Sequence, residues 1–268
     1  MLYDILVKPF VKGLSSDAAA KRALRYFRLI NCLPFGRALY RHFHGNRPAG
    51  MERTVLGIDF YNPVGLGPGF DLKGEIYNDL NSLGFSYVEI GPLNAERTRK
   101  AVENIQNNPP SDVLGACIAA DYQLSFSLAY DFCDFFTIEV NDLAHIDKIM
   151  DPIIDIRLTN DDYKAIVVKL PEFCTEELLQ SAVEYCRLSS VDGICTRNLQ
   201  QTQDVRKLSN SRLTIIANVP LSDECEAKTL LDAGASLIEL RNGLIHRGPS
   251  FVRRVIQSLE NDTKVAEK

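Results

Sequence analysis

The chain has 268 residues, of which 46% are hydrophobic and 24% charged, and its formal net charge is −5. This length and composition suit one large soluble globular domain with at most a small appendage, and we expect neither a membrane-spanning helix nor a signal peptide. The seven cysteines are scattered, odd in number and never spaced as CxxC. They predict buried, reduced thiols, no metal site and a cytoplasmic location.

Residues 1–50 form a basic segment, with nine Lys or Arg against two Asp. Within it, "SSDAAAKRALRYFRLI" has N-cap candidates followed by Leu24, Phe27 and Ile30 at helical spacing, and "LPFGRALYRHF" predicts a second short helix. Two interpretations remain open. The helical pair packs on the main body, or it forms a basic amphipathic surface that rests on an anionic membrane at the inner face of the cell.

Residues 51–268 alternate between short apolar runs and amphipathic helical segments. Eight runs are strand candidates: "NPVGLG", "SYVEIG", "DVLGACI", "FFTIEV", "AIVVKL", "DGICT", "LTIIAN" and "SLIEL". Such alternation is typical of parallel strands joined by helical crossovers, and eight units predict a closed (β/α)8 TIM barrel. Functional residues are then expected at the carboxyl ends of the strands.

Two features of these ends suggest a ligand site. In "VGLGPGFDLKGE" (residues 64–75), glycines let the backbone approach a flat ligand or a phosphate, because no Cβ stands in the way. Lys169 ends a buried apolar strand, which is costly without an anionic or dipolar partner. The alternative is a lysine that reaches solvent at the barrel rim.

The stretches "NPVGLGPGFDLKGE", "LGFSYVEIG", "VVKL", "DGICTRN" and "AGASLIELRNGLIHRGP" resemble, in order and over nearly the whole chain, the class 2 dihydroorotate dehydrogenases. The resemblance implies a barrel that binds FMN at the strand carboxyl ends. It also implies oxidation of dihydroorotate to orotate in pyrimidine synthesis, with electrons passed to a membrane quinone beneath an N-terminal helical pair.

By this resemblance, four positions would contact FMN and one would contact substrate. The FMN positions are Gly67, Gly69, Lys169 and Gly243, and the substrate position is Asn198. Asparagine at a strand-to-helix turn is also common for local reasons.

The chain departs from the family pattern where the chemistry would occur. Asp142 stands at the position of the family's catalytic serine base, and Glu139 and Ala144 replace two substrate-binding asparagines. A buried carboxylate can act as a base, but two carboxylates disfavour an anionic substrate. The alternative is that "NDLAHIDKIM" only caps and begins a helix, with Asn141 or Asp142 as N-cap.

The phosphate end and the loops of the same face are also altered. Val219 and Pro220 stand in the glycine-rich turn after the seventh strand, and Arg241 and Asn242 precede Gly243 after the eighth. Pro220 has no N–H to donate to a phosphate. The loop after strand two is predicted to be reduced to "PLNAERTRKAVENIQ", and the lid after strand four to a few residues.

These changes predict a catalytically degenerate barrel of dihydroorotate dehydrogenase type that acts as a binding or regulatory protein. Its expected partner is an active relative or a second copy of the chain. One alternative is an active FMN-dependent dehydrogenase, and another is an enzyme of different specificity that uses Glu139, Asp142, His145 or Arg241. Nucleic acid is not an expected partner, because the barrel is acidic.

Overall fold

A computed structural model describes residues 48–240 and 242–266, together with Ala18, Arg22, Arg25, Tyr26 and Leu29. Most of the basic N-terminal segment lies outside the described residues, so its predicted helical pair and the domain boundary at residue 50 stay predictions.

Ten strands are present among the described residues: β1 Arg53–Val55, β2 Ile58–Phe60, β3 Val64–Gly65, β4 Tyr87–Leu93, β5 Val113–Ile118, β6 Phe135–Glu139, β7 Ala165–Lys169, β8 Gly193–Thr196, β9 Thr214–Ala217 and β10 Leu237–Glu239. The helices are α1 Tyr77–Asn81, α2 Ala95–Asn107, α3 Tyr122–Ala129, α4 Ile146–Leu158, α5 Glu176–Leu188, α6 Leu199–Leu208, α7 Cys225–Asp232, α8 Asn242–Arg247 and α9 Pro249–Ala266. Two 3-10 turns, Tyr130–Phe132 and Leu143–His145, precede β6 and α4.

The eight predicted strands form one parallel sheet in the order β3-β10-β9-β8-β7-β6-β5-β4. Beyond β3, Leu66 bridges Val88 of β4, and the Leu66 carbonyl accepts a 2.8 Å hydrogen bond from the Glu89 N–H. This contact joins the two ends of the sheet, so the barrel is closed. The predicted (β/α)8 TIM barrel is confirmed.

A small antiparallel hairpin, β1–β2, was not predicted. Its strands have three residues each and mix polar with apolar side chains, so they lack the apolar runs that identified the barrel strands. The hairpin places Phe60 against Tyr87, with ring centroids 5.3 Å apart, and Tyr87 in turn contacts Phe135 at 5.6 Å. Since Tyr87 and Phe135 begin their strands, these rings fill the barrel at the amino ends.

The segment after β4 forms a helix over most of the residues that the sequence assigned to a reduced loop. Most of "PLNAERTRKAVENIQ" forms helix α2, and Asn94 caps it by accepting a 3.0 Å hydrogen bond from the Arg97 N–H. The connection between β4 and α2 is therefore shorter than expected, because the residues assigned to a loop form the helix that follows the strand.

Candidate active site

The carboxyl ends of β6 and β7 bring together two side chains of opposite charge. Glu139 and Lys169 are register partners on these neighbouring strands, and Lys169 Nζ donates to Glu139 Oε2 at 3.0 Å. The lysine side chain is 7% exposed and the glutamate side chain 25%. The partner that a strand-end lysine needs is thus supplied by the chain itself.

Burial disfavours the charged ammonium of Lys169, but the acidic groups around it have the larger combined effect. The thiols of Cys117 and Cys195 and the carboxylate of Glu139 together raise the pKa of Lys169 above its ordinary value. Burial in turn raises the pKa of both thiols well above the ordinary range. Because reactivity requires a thiolate, these cysteines are poor nucleophiles at neutral pH.

Two further carboxyl groups lie inside the barrel that the sequence analysis did not single out. Glu89 of β4 and Glu239 of β10 are each 1% exposed. A glutamate within an otherwise apolar strand, as in "YVEIG" and "LIEL", is the signal that could have found them. The interior of the barrel is therefore acidic near the face where the resemblance places a bound anion.

Asp142, at the position of the family's base, points away from this interior. Its side chain is 64% exposed, and its Oδ2 lies 2.8 Å from His145 Nδ1. The hydrogen bond with His145 lowers the pKa of Asp142. Asp142 immediately precedes the Leu143–His145 turn that leads into α4, although its side chain makes no capping hydrogen bond. An exposed carboxylate with a lowered pKa is a weak base. The segment begins a helix, as the alternative predicted, but the N-cap of α4 is His145 and not Asn141 or Asp142.

The glycines of the opening bend are accounted for by packing within the protein. A Cβ at Gly67 would lie 2.6 Å from Asn218 Nδ2 and 2.7 Å from Glu239 Oε2. The Gly69 N–H already donates to the Gly91 carbonyl at 2.6 Å, and Gly69 has a φ of 103°. Packing within the protein therefore explains the glycines of this bend, and no ligand is needed to account for them.

Asn198 is the N-cap of α6. Its side-chain oxygen accepts a 2.8 Å hydrogen bond from the Gln201 N–H, and its Nδ2 donates to the Glu172 carbonyl at 3.3 Å. Both ends of the amide are therefore engaged in local structure. Gly243 lies in the first turn of α8, and Arg241 lies outside the described residues.

The start of α7, which follows the turn where the resemblance places the FMN phosphate, is capped by the chain's own carboxylates. The N–H groups of Cys225 and Glu226 donate to Asp223 Oδ1 at 2.8 and 3.1 Å. The Ser222 N–H donates to Glu226 Oε2 at 2.7 Å. These side chains cap the start of α7, as acidic residues commonly do at a helix N-terminus.

The residues at this face therefore do not fit FMN. Pro220 offers no N–H, the following N–H groups already have anionic partners, and Lys169 is paired with Glu139. A dianionic phosphate would compete with carboxylates that are covalently held in place.

Other site chemistry is limited in the part of the chain that the structure covers. Among the described residues, no group of three or more His, Cys, Asp or Glu is arranged to hold a metal ion. The six cysteines that fall within this part are free thiols. None of the helices described is long and apolar enough to cross a membrane.

Comparison with known proteins gives a consistent result along most of the chain. No family model matches it. It is 22% identical over 336 aligned positions to dihydroorotate dehydrogenase (quinone) of Christiangramia forsetii, covering 96% of this chain and 98% of the relative. It is 25% identical to the enzyme of the same name from Salinispora arenicola, covering 94% and 97%.

Solved structures show the same likeness in the fold. The ligand-free dihydroorotate dehydrogenase of Eimeria tenella superposes with a TM-score of 0.72 at 17% identity, over 86% of this chain and 93% of that one. The same enzyme in complex with ferulenol gives a TM-score of 0.72 over 81% of this chain. The resemblance seen in the sequence is confirmed, and the chain is a shortened and divergent relative of the quinone-dependent dihydroorotate dehydrogenases.

Proposed function

We propose that this chain is a catalytically degenerate barrel of dihydroorotate dehydrogenase type, which binds no FMN and acts as a binding or regulatory protein. The observation that carries the proposal is the Lys169–Glu139 ion pair. The lysine that the resemblance assigns to FMN contact donates at 3.0 Å to a carboxylate that replaces a substrate-binding asparagine.

The position of the base supports the same conclusion. A general base needs a pKa near the working pH and a place beside the proton that it removes. Asp142 is exposed, and its hydrogen bond with His145 lowers its pKa. It meets neither requirement as placed.

The charge of the face also disfavours the family's substrate. Dihydroorotate carries a carboxylate, and Glu139, Glu89 and Glu239 lie at or below the same end of the barrel. The ammonium of Lys169 is paired with Glu139, so it offers little net attraction to an anion.

A barrel that keeps its scaffold without its chemistry is suited to binding another protein. The natural candidates are an active dihydroorotate dehydrogenase of the same cell or a second copy of this chain. Co-purification with a tagged active relative, followed by its dehydrogenase rate with and without this chain, would identify a regulatory role.

The visible spectrum of the freshly purified protein tests the proposal. We expect no flavin absorbance and no oxidation of dihydroorotate with a quinone acceptor, while a dihydroorotate dehydrogenase purified in parallel shows both. Flavin near one per chain together with turnover would refute the proposal. That result would establish the alternative, an active FMN-dependent dehydrogenase that uses Lys169 and Asn198. Flavin without turnover would point instead to an enzyme of different specificity.

A further inference from the structure

Two buried carboxyl groups converge inside the barrel from the strands on either side of β3. Glu89 belongs to β4 and Glu239 to β10, and each residue is 1% exposed. Gly65 of β3 pairs in register with Glu239, and Leu66, the next residue, accepts a hydrogen bond from the Glu89 N–H. The two glutamates are therefore neighbours across a single narrow strand.

Glycines in and just after that strand leave space for Tyr87 and Glu239. A Cβ at Gly65 would lie 2.2 Å from the Tyr87 ring, and a Cβ at Gly67 would lie 2.7 Å from Glu239 Oε2. Any larger residue at these positions would separate the two strands or displace the side chains. The gap is thus filled by Tyr87, Glu239 and Asn218.

The hydrogen bonds of the two carboxyl groups are unequal. Glu239 accepts one from the Asn218 amide and a long one, 3.5 Å, from the Tyr87 hydroxyl. Both oxygens of Glu89 are buried, and neither has a partner in good hydrogen-bond geometry; the Thr137 hydroxyl is the nearby donor that favours its charged form. A buried carboxylate with one weak donor is disfavoured, whereas a protonated acid beside a carboxylate supplies a donor of its own.

The surrounding charges do not remove the need for a proton on this carboxyl pair. The groups that act on the pair are Tyr87 of β4, Cys117 of β5, Thr137 of β6, Lys169 of β7, Cys195 of β8 and Asn218 after β9. Glu139 of β6 faces the same cation, Lys169. Among the described residues, Lys169 is the cation that acts on both carboxyl groups, and it is hydrogen bonded to Glu139. One cation faces three carboxyl groups.

We propose that Glu89 and Glu239 share one proton inside the barrel, so that the barrel takes up a proton on folding and loses stability as the pH rises. The arrangement is a pH-sensitive element built into the barrel interior. It goes beyond the proposed function, and it holds whether or not the chain is catalytic.

The direction of the effect follows from linkage. Burial, and then the neighbouring Glu239 carboxylate, raise the pKa of Glu89 well above its ordinary value of 4.5. Burial also raises the pKa of Glu239. The unfolded chain releases this proton near pH 4.5, while the folded chain retains it to higher pH. The stabilising contribution is therefore complete below pH 4.5 and falls as the pH rises through the folded pKa.

Glutamine substitutions test the proposal, because a glutamine amide carries the shared hydrogen permanently. In Glu239→Gln, the side-chain oxygen still accepts from Asn218 and the NH2 group donates to Glu89. Glu89→Gln donates to Glu239 in the reciprocal way. Glu96→Gln, at an exposed position on α2, is the matched control.

Denaturant unfolding of each protein is measured from pH 5 to pH 9. We expect the unfolding equilibrium constant of the wild type and of Glu96→Gln to contain a component that rises by up to about tenfold per pH unit, the value for one proton. Either interior glutamine variant should lose this component and gain stability relative to the wild type as the pH rises. Equal pH slopes in all four proteins would overturn the proposal.

A second measurement needs no variant to fold. Infrared spectra of the wild type at neutral pH, with and without 13C-labelled glutamate, should contain the carbonyl stretch of one protonated glutamic acid. The absence of a label-sensitive acid band would overturn the proposal independently.

Discussion

The Lys169 ammonium lies 3.0 Å from the Glu139 carboxylate, between register partners at the carboxyl ends of two adjacent strands. Lys169, which the resemblance assigns to FMN contact, is therefore hydrogen bonded to Glu139, which replaces a substrate-binding asparagine. Each charge of the pair offsets the desolvation penalty of the other in a largely buried position. The pair explains how a charged strand end is accommodated by the chain's own residues.

We predict an asymmetric cost for breaking this pair. Lys169→Met leaves the interior carboxyl groups without their cation and should lower the free energy of unfolding by about 3–5 kcal/mol at pH 7. Glu139→Gln should cost less, because the proton between Glu89 and Glu239 can be released to balance the ammonium. Urea unfolding measures both variants.

Asp142→Asn is the control for these variants, since Asp142 is exposed and hydrogen bonded to His145. Its unfolding midpoint should stay close to that of the wild type. An equal loss from Lys169→Met and Glu139→Gln would contradict the idea that the interior acids compensate.

Gly65→Ala should destabilise the barrel through a steric clash. The new Cβ would lie 2.2 Å from the Tyr87 ring, and that ring is held between Phe60 and Phe135. Overpacking of this kind costs about 1–3 kcal/mol. A double-mutant cycle with Tyr87→Leu checks the cause, because Gly65→Ala should cost less once the ring is absent. Additive effects would show that the strand, and not the ring, demands glycine.

Asp223→Ala should weaken the start of α7 and expose its N–H groups. Loss of the hydrogen bonds from Cys225 and Glu226 should cost about 0.5–2 kcal/mol, as for other helix caps. Inorganic phosphate should then raise the thermal midpoint of Asp223→Ala, combined with Glu226→Ala, more than that of the wild type. A similar response in both proteins would mean that these carboxylates do not exclude an anion.

The barrel was predictable because its strands are buried on both faces and read as continuous apolar runs. "AIVVKL" and "FFTIEV" carry this signal within a single segment, and the structure places β7 and β6 on them. The hairpin was not predicted because its three-residue strands contain no such apolar run. A local sequence pattern thus identifies only those strands that are long enough to contain an apolar run.

The interior glutamates Glu89 and Glu239 were not predicted for a different reason, which is the distance along the chain between partners. Tyr87 and Glu239 are 152 residues apart yet make a hydrogen bond, and only closure of the barrel makes them neighbours. Partners fixed by topology are not visible in a local pattern.

The basic N-terminal segment should bind anionic membranes, independently of any flavin chemistry. Of its described residues, Arg22, Arg25 and Leu29 are exposed, whereas Tyr26 is buried against the core. Their spacing of three and four residues places the exposed side chains along one helical face. Leu29 is 69% exposed, so this face combines positive charge with an accessible apolar group.

Two contributions would favour binding. Each basic residue near an anionic surface is worth about 1 kcal/mol, and buried apolar area adds about 25 cal/mol per Å². Because the first contribution is screened by ions, binding to phosphatidylserine vesicles should weaken with added salt. Co-sedimentation with such vesicles measures it.

The charge-reversed variant Arg25→Glu/Leu29→Glu isolates this face. It should sediment less with anionic vesicles than the wild type does. The matched control, Arg99→Glu/Leu158→Glu, changes an exposed arginine and an equally exposed leucine on α2 and α4, and it should bind as the wild type does. If both variants bind equally, or if the wild type does not sediment with vesicles at low salt, this helical face does not contact the membrane.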